Sequence, residues 1–356
     1  MRRKHDMKSP PDTILFLKLM GLGSLVIASD MMIAVKNKYS NAKVVLLTDS
    51  NIGSGIGHFL PGVEIWQLDT TKLVETFFKA LIILFRLWRT GTLWVCDLEV
   101  YSKLTTIYSL FTCAVNRVGF ILHPVQFRNY LNTHNIYYNV YKNLEENYSL
   151  IGHALGVSQQ ELLARNSLPM ERMKSNRNYI LINNTCSSLS IYRKLPDTTI
   201  IEVINWILSN TSFHIVLLGT VGDFEGNEEI SSQIDLPIKG NRISNLAGKM
   251  TFEEYYSFME REAVLMISID SAPLHIAHKL GLPTLSIWGP TNPAHYFKVR
   301  ETERLSHSFI YKNMFCSPCV HHTAHLPCGG HNLCMIQISQ VEIVEALNTL
   351  LSTIPQ

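Results

Sequence analysis

Four cysteines and four histidines fall within CSPCVHHTAHLPCGGHNLC, residues 316–334, in a chain that has seven cysteines in all. The spacing C-x2-C-x8-C-x5-C sets Cys316, Cys319, Cys328 and Cys334 on one short loop, a donor set suited to tetrahedral zinc or a single iron. Pro318 and the Gly329-Gly330 pair let the chain turn between ligands, and any of His321, His322, His325 and His331 could replace a cysteine. Four protein ligands leave no open position for a substrate, so the expected role is a structural clasp; unligated thiols and disulfides are the alternatives. Cys96, Cys113 and Cys186 read as buried small apolar residues.

Four other loops hold residues that could meet a ligand. In LKLMGLGSLV, Gly21 and Gly23 lie between a strand and a helix, where they permit close approach and leave helix amides for an oxygen anion; a plain tight turn explains them as well. LGTVGDFEGN puts Gly219, Gly222 and Asp223 straight after a strand, either to wrap a nucleotide or to turn the chain. SIDSAPLHIAHKLGLP is more informative: Asp270 or Ser271 can cap a helix whose other amides meet phosphate, and His275 shares a face with Ser271 four residues before it. There is no G-x-S-x-G elbow to make a hydrolytic triad of them. Arg193 and Lys194 in SIYRKLP could neutralise a departing diphosphate or be solvated surface charge.

The elements that must position these loops alternate. Strands are expected at TILFLKL, AKVVLLT, VEIWQL and LWVCDL, with helices near 25–38, 71–89 and 101–114. Regularity lapses over 121–177, and a second alternation follows: strands at YILINNT, FHIVLLGT, AVLMIS and PTLSIWG, helices at 197–209, 251–260, from Ser271, and at 339–352. Such chains build parallel sheets covered by helices and bind ligands beyond the carboxyl ends of the strands. The expectation is an α/β chain with an N-terminal domain over 1–165, a polar linker over 166–178 and a C-terminal domain over 179–356, consistent with a length of 356 residues.

Composition narrows the function classes. A net charge of +2 argues against a general nucleic-acid binder. The first apolar run, Ile14 to Leu25, contains Lys18 and glycines and does not read as a signal peptide, so a cytoplasmic chain with free thiols is expected. LVETFFKALIILFRLW, residues 73–88, is short for a membrane span and interrupted by Glu75, Lys79 and Arg86. It reads as a helix against the protein body or as a surface resting on a membrane or a protein partner.

The chain resembles glycosyltransferase family 9, the heptosyltransferases of lipopolysaccharide biosynthesis. The resemblance is carried by ILFLKLMGLGSLVIASDMMIAVK, LWVCDLE with NRVGF, and above all ISNLAGKMTFEEY with SIDSAPLHIAHKLGLPTLSIWGPTNP. It implies a GT-B fold of two Rossmann-like domains facing across a cleft, with the nucleotide-sugar donor, ADP-heptose or similar, mainly on the second domain. A glycan, lipid-linked or protein acceptor would lie on the first. Asp270, Ser271 and His275 match the donor segment, Arg193 and Lys194 lie where a phosphate-contacting lysine is expected, and Glu253 falls near the nucleotide. Gly219, Gly21, Gly23 and Ser24 complete the candidate donor contacts.

Two departures bear on activity. The resemblance implies an aspartate general base after the second glycine of the opening turn, where this chain has Ser24, and an alcohol cannot serve as that base near neutrality. Asp97 and Glu99 are the candidate replacements, Asp30 lying about two helical turns too far along. Ala272 stands where glycine is usual. A live enzyme would invert by direct displacement with no catalytic metal, its cations and helix amides holding the charge. The alternative is a non-catalytic or partner-dependent glycosyltransferase-like binding or assembly protein. An iron-binding cysteine finger in the related autotransporter heptosyltransferases adds to the clasp reading of residues 316–334.

Overall fold

The computed structural model describes residues 6–123, 127–164, 178–186, 191–235, 240–296, 306–320, 323 and 325–354. The chain divides into two compact units, Met1–Asn166 and Ser167–Gln356. The expected linker, but for Asn178, and His321 and His322 lie outside the described residues.

Unit 1 alternates β1 (Thr13–Leu17), α1 (Leu22–Lys38), β2 (Lys43–Asp49), α2 (Ser50–Ile56), β3 (Glu64–Leu68), α3 (Leu73–Trp88), β4 (Leu93–Asp97), α4 (Lys103–Phe111), β5 (Asn116–Ile121), α5 (Arg128–Leu131), β6 (His134–Tyr137), α6 (Leu144–Ala154) and α7 (Gln159–Leu163). All strand pairs are parallel, in the order β3-β2-β1-β4-β5-β6. TILFL and LWVCD are buried at every position because helices cover both faces of the sheet. Strand order reverses between β1 and β4, which leaves an opening at their carboxyl ends.

Unit 2 repeats the plan with β7 (Tyr179–Asn183), α8 (Asp197–Asn210), β8 (His214–Leu217), α9 (Phe224–Ser232), β9 (Ile243–Asn245), α10 (Phe252–Arg261), β10 (Ala263–Ile269), α11 (Ala272–Lys279), β11 (Thr284–Trp288), β12 (His307–Tyr311), α12 (Leu333–Ile336) and α13 (Gln340–Thr353). Its parallel order is β12-β11-β10-β7-β8-β9, with the reversal between β7 and β10. The last helix, α13, packs on α8, β11 and β12 through Ile343, Leu347 and Leu350, as its helical spacing requires. Each unit is thus a parallel six-stranded sheet covered by helices, a Rossmann-like half of a GT-B-like α/β fold.

The stretch expected to lose its regularity contains β6, α6 and α7 and follows β5, and β9 and β12 were not foreseen either. Strand β5 opens with Asn116 and Arg117, both buried, whose polar groups find distant partners: Asn116 Nδ2 donates to the Asp6 carbonyl at 2.7 Å and Arg117 Nε to that of Leu131 at 2.9 Å. Strands β6, β9 and β12 are short and half-exposed, so none has a clean apolar pattern. Cys113 corrects another expectation: it is exposed, in the turn after α4 with φ +56°, whereas Cys96 is fully buried in β4 and Cys186 half-buried.

Candidate functional site

In unit 2 the chain leaves β10 at Ile269 and turns through Asp270 beside the end of β7. Arg193 Nη1 donates to the Asp270 carbonyl at 2.9 Å and lies 3.4 Å from Oδ2, while His275 Nε2 is 3.5 Å from Oδ1. Burial is the largest influence on the Asp270 carboxyl and pushes its pKa up. His275, Arg193 and Thr291 together outweigh it and hold the group below the ordinary carboxylate value. An ionised carboxylate therefore fixes a guanidinium and an imidazole at the strand-order reversal. The His275 ring stacks on Tyr296, centroids 5.3 Å apart at 26°, and Tyr296 lies against Trp288.

The expected capping of α11 by Asp270 or Ser271 is not what the chain does. Ser271 occupies the N-cap without a side-chain cap; its hydroxyl instead accepts from Asn183 Nδ2 at 2.8 Å. The same amide reaches Ser268 and the Thr185 carbonyl. Asp270 faces Arg193 and His275, so its carboxylate stands near the start of α11 without capping it. Asn184 exchanges two hydrogen bonds with the Leu195 backbone, 2.9 and 3.1 Å, which fastens the segment carrying Arg193 and Lys194 to the end of β7. The Lys194 side chain is exposed.

The loop after β8 is built as a turn. Asp223 Oδ2 accepts from Thr220 N at 2.8 Å and from its hydroxyl at 2.7 Å. Gly219 is pinned by Gly248 N, 3.0 Å from its carbonyl, and a Cβ on Gly248, at φ +68°, would stand 2.6 Å from the Val221 backbone. Glu253 is exposed in the first turn of α10, beside the Thr251–Glu254 capping box but outside it.

In unit 1 the reversal between β1 and β4 brings Lys18, Gly21, Asp97 and Glu99 to one end of the sheet. Gly21 takes φ +82° at the N-cap of α1, a left-handed conformation that favours glycine, and the Ser24 hydroxyl donates back to its carbonyl at 2.8 Å. Gly23 is buried in the first turn. Glu99 Oε1 accepts from the amides of Leu19 and Met20 at 2.8 and 2.9 Å, and Oε2 pairs with Lys18 Nζ at 3.6 Å. Burial, the largest influence, pushes the Lys18 pKa down, but Tyr148, Glu99 and Asp97 outweigh it and the net direction is up.

Asp97 is sealed more tightly. Its Oδ2 accepts from Thr105, Thr106 and Arg128 Nη2 at 3.1, 2.8 and 3.1 Å, and Oδ1 from Glu99 N at 3.1 Å. Burial pushes the Asp97 carboxyl up to about 6, a rise that Arg128 and the two threonines only partly offset. Its side chain is 1% exposed against 13% for Glu99, so of the two candidate bases Glu99 has the freer access to solvent.

The cysteine loop docks on the end of β11. Ser317 Oγ donates to the Gly289 carbonyl at 2.7 Å, Cys319 N donates to that of Pro290 at 3.0 Å, and a Cβ on Gly289 would stand 2.9 Å from Cys334 Sγ. Burial, then the neighbouring Cys319, Cys316 and Cys328, push the Cys334 thiol up to about 11, so the four sulfurs share one neighbourhood. Among the described residues, however, no three His, Cys, Asp or Glu side chains gather closely enough to hold a metal ion. The donor chemistry suits a thiolate metal site; the described geometry is not closed into a cage. From this loop Asn332 Nδ2 donates to the Lys194 carbonyl at 3.3 Å, and Gly330 lies against Tyr192. The cysteine loop therefore buttresses the segment that carries Arg193.

Asp270, Ser271, His275 and Arg193 thus converge, and so do Asp97, Glu99 and the Gly21 turn, each set within its own unit. Sequence reading missed Asn183, Asn184 and Tyr296 in unit 2 and Lys18, Arg128 and Tyr148 in unit 1. Lys18, a lone cation at the end of an apolar strand, carried a signal; Arg128, far along the chain from Asp97, carried none.

No curated protein sequence matches the chain at a significant level. Among solved structures, ADP-heptose LPS heptosyltransferase II from E. coli superposes with a TM-score of 0.71 at 16% identity, over 96% of this chain and 98% of that one. A family 9 glycosyl transferase from Veillonella parvula gives 0.71 at 16%, over 98% and 99%. The iron-containing dodecameric glycosyltransferase TibC from enterotoxigenic E. coli gives 0.57 at 13%, over 97% and 77%. At these identities the likeness is one of fold. No helix among the described residues is long and apolar enough to cross a membrane. The profile of glycosyltransferase family 9 (heptosyltransferase) matches residues 109–328, more than half of the chain and the whole of the Arg193–Asp270–His275 site, and the protein belongs to that family.

Proposed function

We propose that the protein is an inverting glycosyltransferase that moves a sugar, heptose by the family's precedent, from a nucleotide-sugar donor such as ADP-heptose. The donor sits on unit 2, and a glycan, lipid-linked or protein acceptor is presented by unit 1. The observation that carries this reading is the Arg193–Asp270–His275 cluster beside an α11 N-terminus that has no side-chain cap. A cation and a helix dipole at one point suit a diphosphate that must gain charge as it leaves.

In the transfer, an acceptor hydroxyl attacks the anomeric carbon, the bond from that carbon to the diphosphate oxygen breaks, and the electron pair departs on the nucleoside diphosphate. Arg193 meets the new charge, with the Ala272 amide at the start of α11, Pro273 after it having no N–H to offer. The hydroxyl proton goes to a carboxylate, and Glu99 is assigned that role because Asp97 is closed off by Arg128 and two threonines. Glu99→Gln is expected to lower turnover by about a hundredfold or more while donor affinity stays unchanged. Calorimetric titration with ADP, GDP and UDP beside a transfer assay checks it, and full turnover by Glu99→Gln would return the base to another residue.

A specific observation favours a second reading. The Ser24 hydroxyl is committed to the Gly21 carbonyl and Asp97 is sealed, so a partner-dependent or non-catalytic donor-binding protein would retain the unit 2 site alone. Nucleotide binding without transfer to any acceptor from a mixed glycan extract would support it.

Cys316, Cys319, Cys328 and Cys334 are assigned to a structural zinc or iron, a reading that the iron-containing TibC supports. About one metal ion per purified chain is expected, and chelation is expected to lower the thermal midpoint by several degrees. Donor affinity should fall with it, because Asn332 and Gly330 brace the Arg193 segment. Metal-free protein with an unchanged midpoint and unchanged donor affinity would leave the thiols as plain packing.

A further inference from the structure

Helix α3 has two apolar faces and buries only one. Ile83, Leu84 and Leu87 enter the unit 1 core, whereas Phe78, Ile82 and Phe85, at helical spacing on the far side, are 59%, 66% and 56% exposed. The neighbouring α4 turns the small polar Thr105, Thr106 and Ser109 inward and leaves its apolar Leu104 and Phe111 68% and 57% exposed. The two helices are joined side by side, the Trp88 indole donating to the Phe111 carbonyl at 2.8 Å and the Tyr108 hydroxyl to that of Ala80 at 3.1 Å. A contiguous apolar face of this kind on a water-soluble fold marks an interaction surface.

The charges around the face say what covers it. Exposed cations on and beside the two helices are Lys72, Lys79, Arg86, Arg89 and Lys103, against the carboxylates of Glu75 and Glu64 and the half-exposed Asp69. Lys72 is shared with Asp69 and Glu75, and Arg86 with Glu64; Lys79, Arg89 and Lys103 add net positive charge at the edge of the apolar surface. A second copy of this chain would set these cations against their own like, whereas an anionic lipid surface neutralises them as the aromatic and aliphatic side chains enter the acyl boundary.

We infer that unit 1 docks on an anionic bilayer through the outer faces of α3 and α4, lying in the interface without spanning it. The face continues to Leu104, just beyond the Ser102 N-cap and close in the chain to Glu99, so the bilayer would run up to the unit 1 opening. A lipid-borne acceptor would then reach that opening without leaving the membrane. This corollary rests on the transfer reading above, whereas the docking does not.

The test is co-sedimentation of the full chain with vesicles of phosphatidylcholine alone and of phosphatidylcholine with phosphatidylglycerol, at low and high salt. Binding is expected to the anionic vesicles and to weaken with salt. It should drop by about tenfold or more in each of two double variants, Phe78→Ser with Ile82→Ser, and Lys79→Glu with Lys103→Glu. All four positions are solvent-exposed, so both variants should keep the wild-type thermal midpoint, and nucleotide binding by unit 2 should not move. No binding to anionic vesicles, equal binding to both kinds, or double variants that bind like wild type would overturn the proposal. So would a concentration-dependent oligomer that the Phe78→Ser, Ile82→Ser variant dissolves in the absence of lipid.

Discussion

Arg193→Ala is expected to weaken nucleoside diphosphate binding by about a hundredfold, close to 2.7 kcal/mol, and to lower any transfer by a further tenfold or more. The asymmetry follows from where charge develops. A bound donor already carries the negative charge of its diphosphate, and bond cleavage adds more at the bridging oxygen, so a cation there gains in the transition state over the ground state. Asp270 lies behind Arg193 and is almost fully buried, so it acts by positioning: it holds Nη1 at 2.9 Å from its carbonyl and keeps the His275 ring against Tyr296. Asp270→Asn keeps the shape and loses the charge, and its effect should fall more on kcat than on KM because a looser guanidinium binds the ground state better than it follows the reaction. Titration of each variant with ADP, GDP and UDP separates the two roles. Unchanged affinity in Arg193→Ala would move the diphosphate away from this cluster and with it the proposed donor site.

The second large effect is on stability and depends on pH. Arg128 donates to the carbonyls of Val100, Phe120 and Ser102 as well as to Asp97, and both side chains of the ion pair are almost wholly buried. Arg128→Met would leave a buried carboxylate without its cation, a loss of about 3–5 kcal/mol near pH 8. The sign of the pH dependence comes from the folded-state value of about 6, above the 3.8 of an ordinary aspartate. Between these values the folded chain holds more proton at Asp97 than the unfolded chain does, so this residue's contribution to stability falls as pH rises through that window. Without Arg128 the carboxyl titrates higher still, and the variant should stand nearest to wild type at pH 5 and furthest at pH 8. Adding Asp97→Asn to Arg128→Met should flatten that dependence and recover part of the loss. Urea denaturation at the two pH values checks it. An equal loss at both would mean that Arg128 acts through its three carbonyls alone.

Much of this was legible before the fold. The βα alternation, the strands at TILFL and LWVCD and the loop after β10 follow from patterns that span a few residues, because a strand buried on both faces must be apolar throughout and a helix start needs specific neighbours. The segment from 116 to 137 was less legible, because β5 opens with polar residues whose partners lie elsewhere in the chain and β6 is short and half-exposed.

The sequence by itself determined that the chain is α/β and that Asp270, Ser271 and His275 lie on one strand-to-helix turn. Only the tertiary structure decided what those residues touch: Arg193 reaches Asp270 from another loop, Arg128 closes off Asp97, and Asn332 ties the cysteine loop to Lys194. The division has a physical reason. Periodicity and turn chemistry are local and are written in neighbouring residues. The state of a buried charge depends on which distant groups the strand order brings against it, and no short window of the chain contains them.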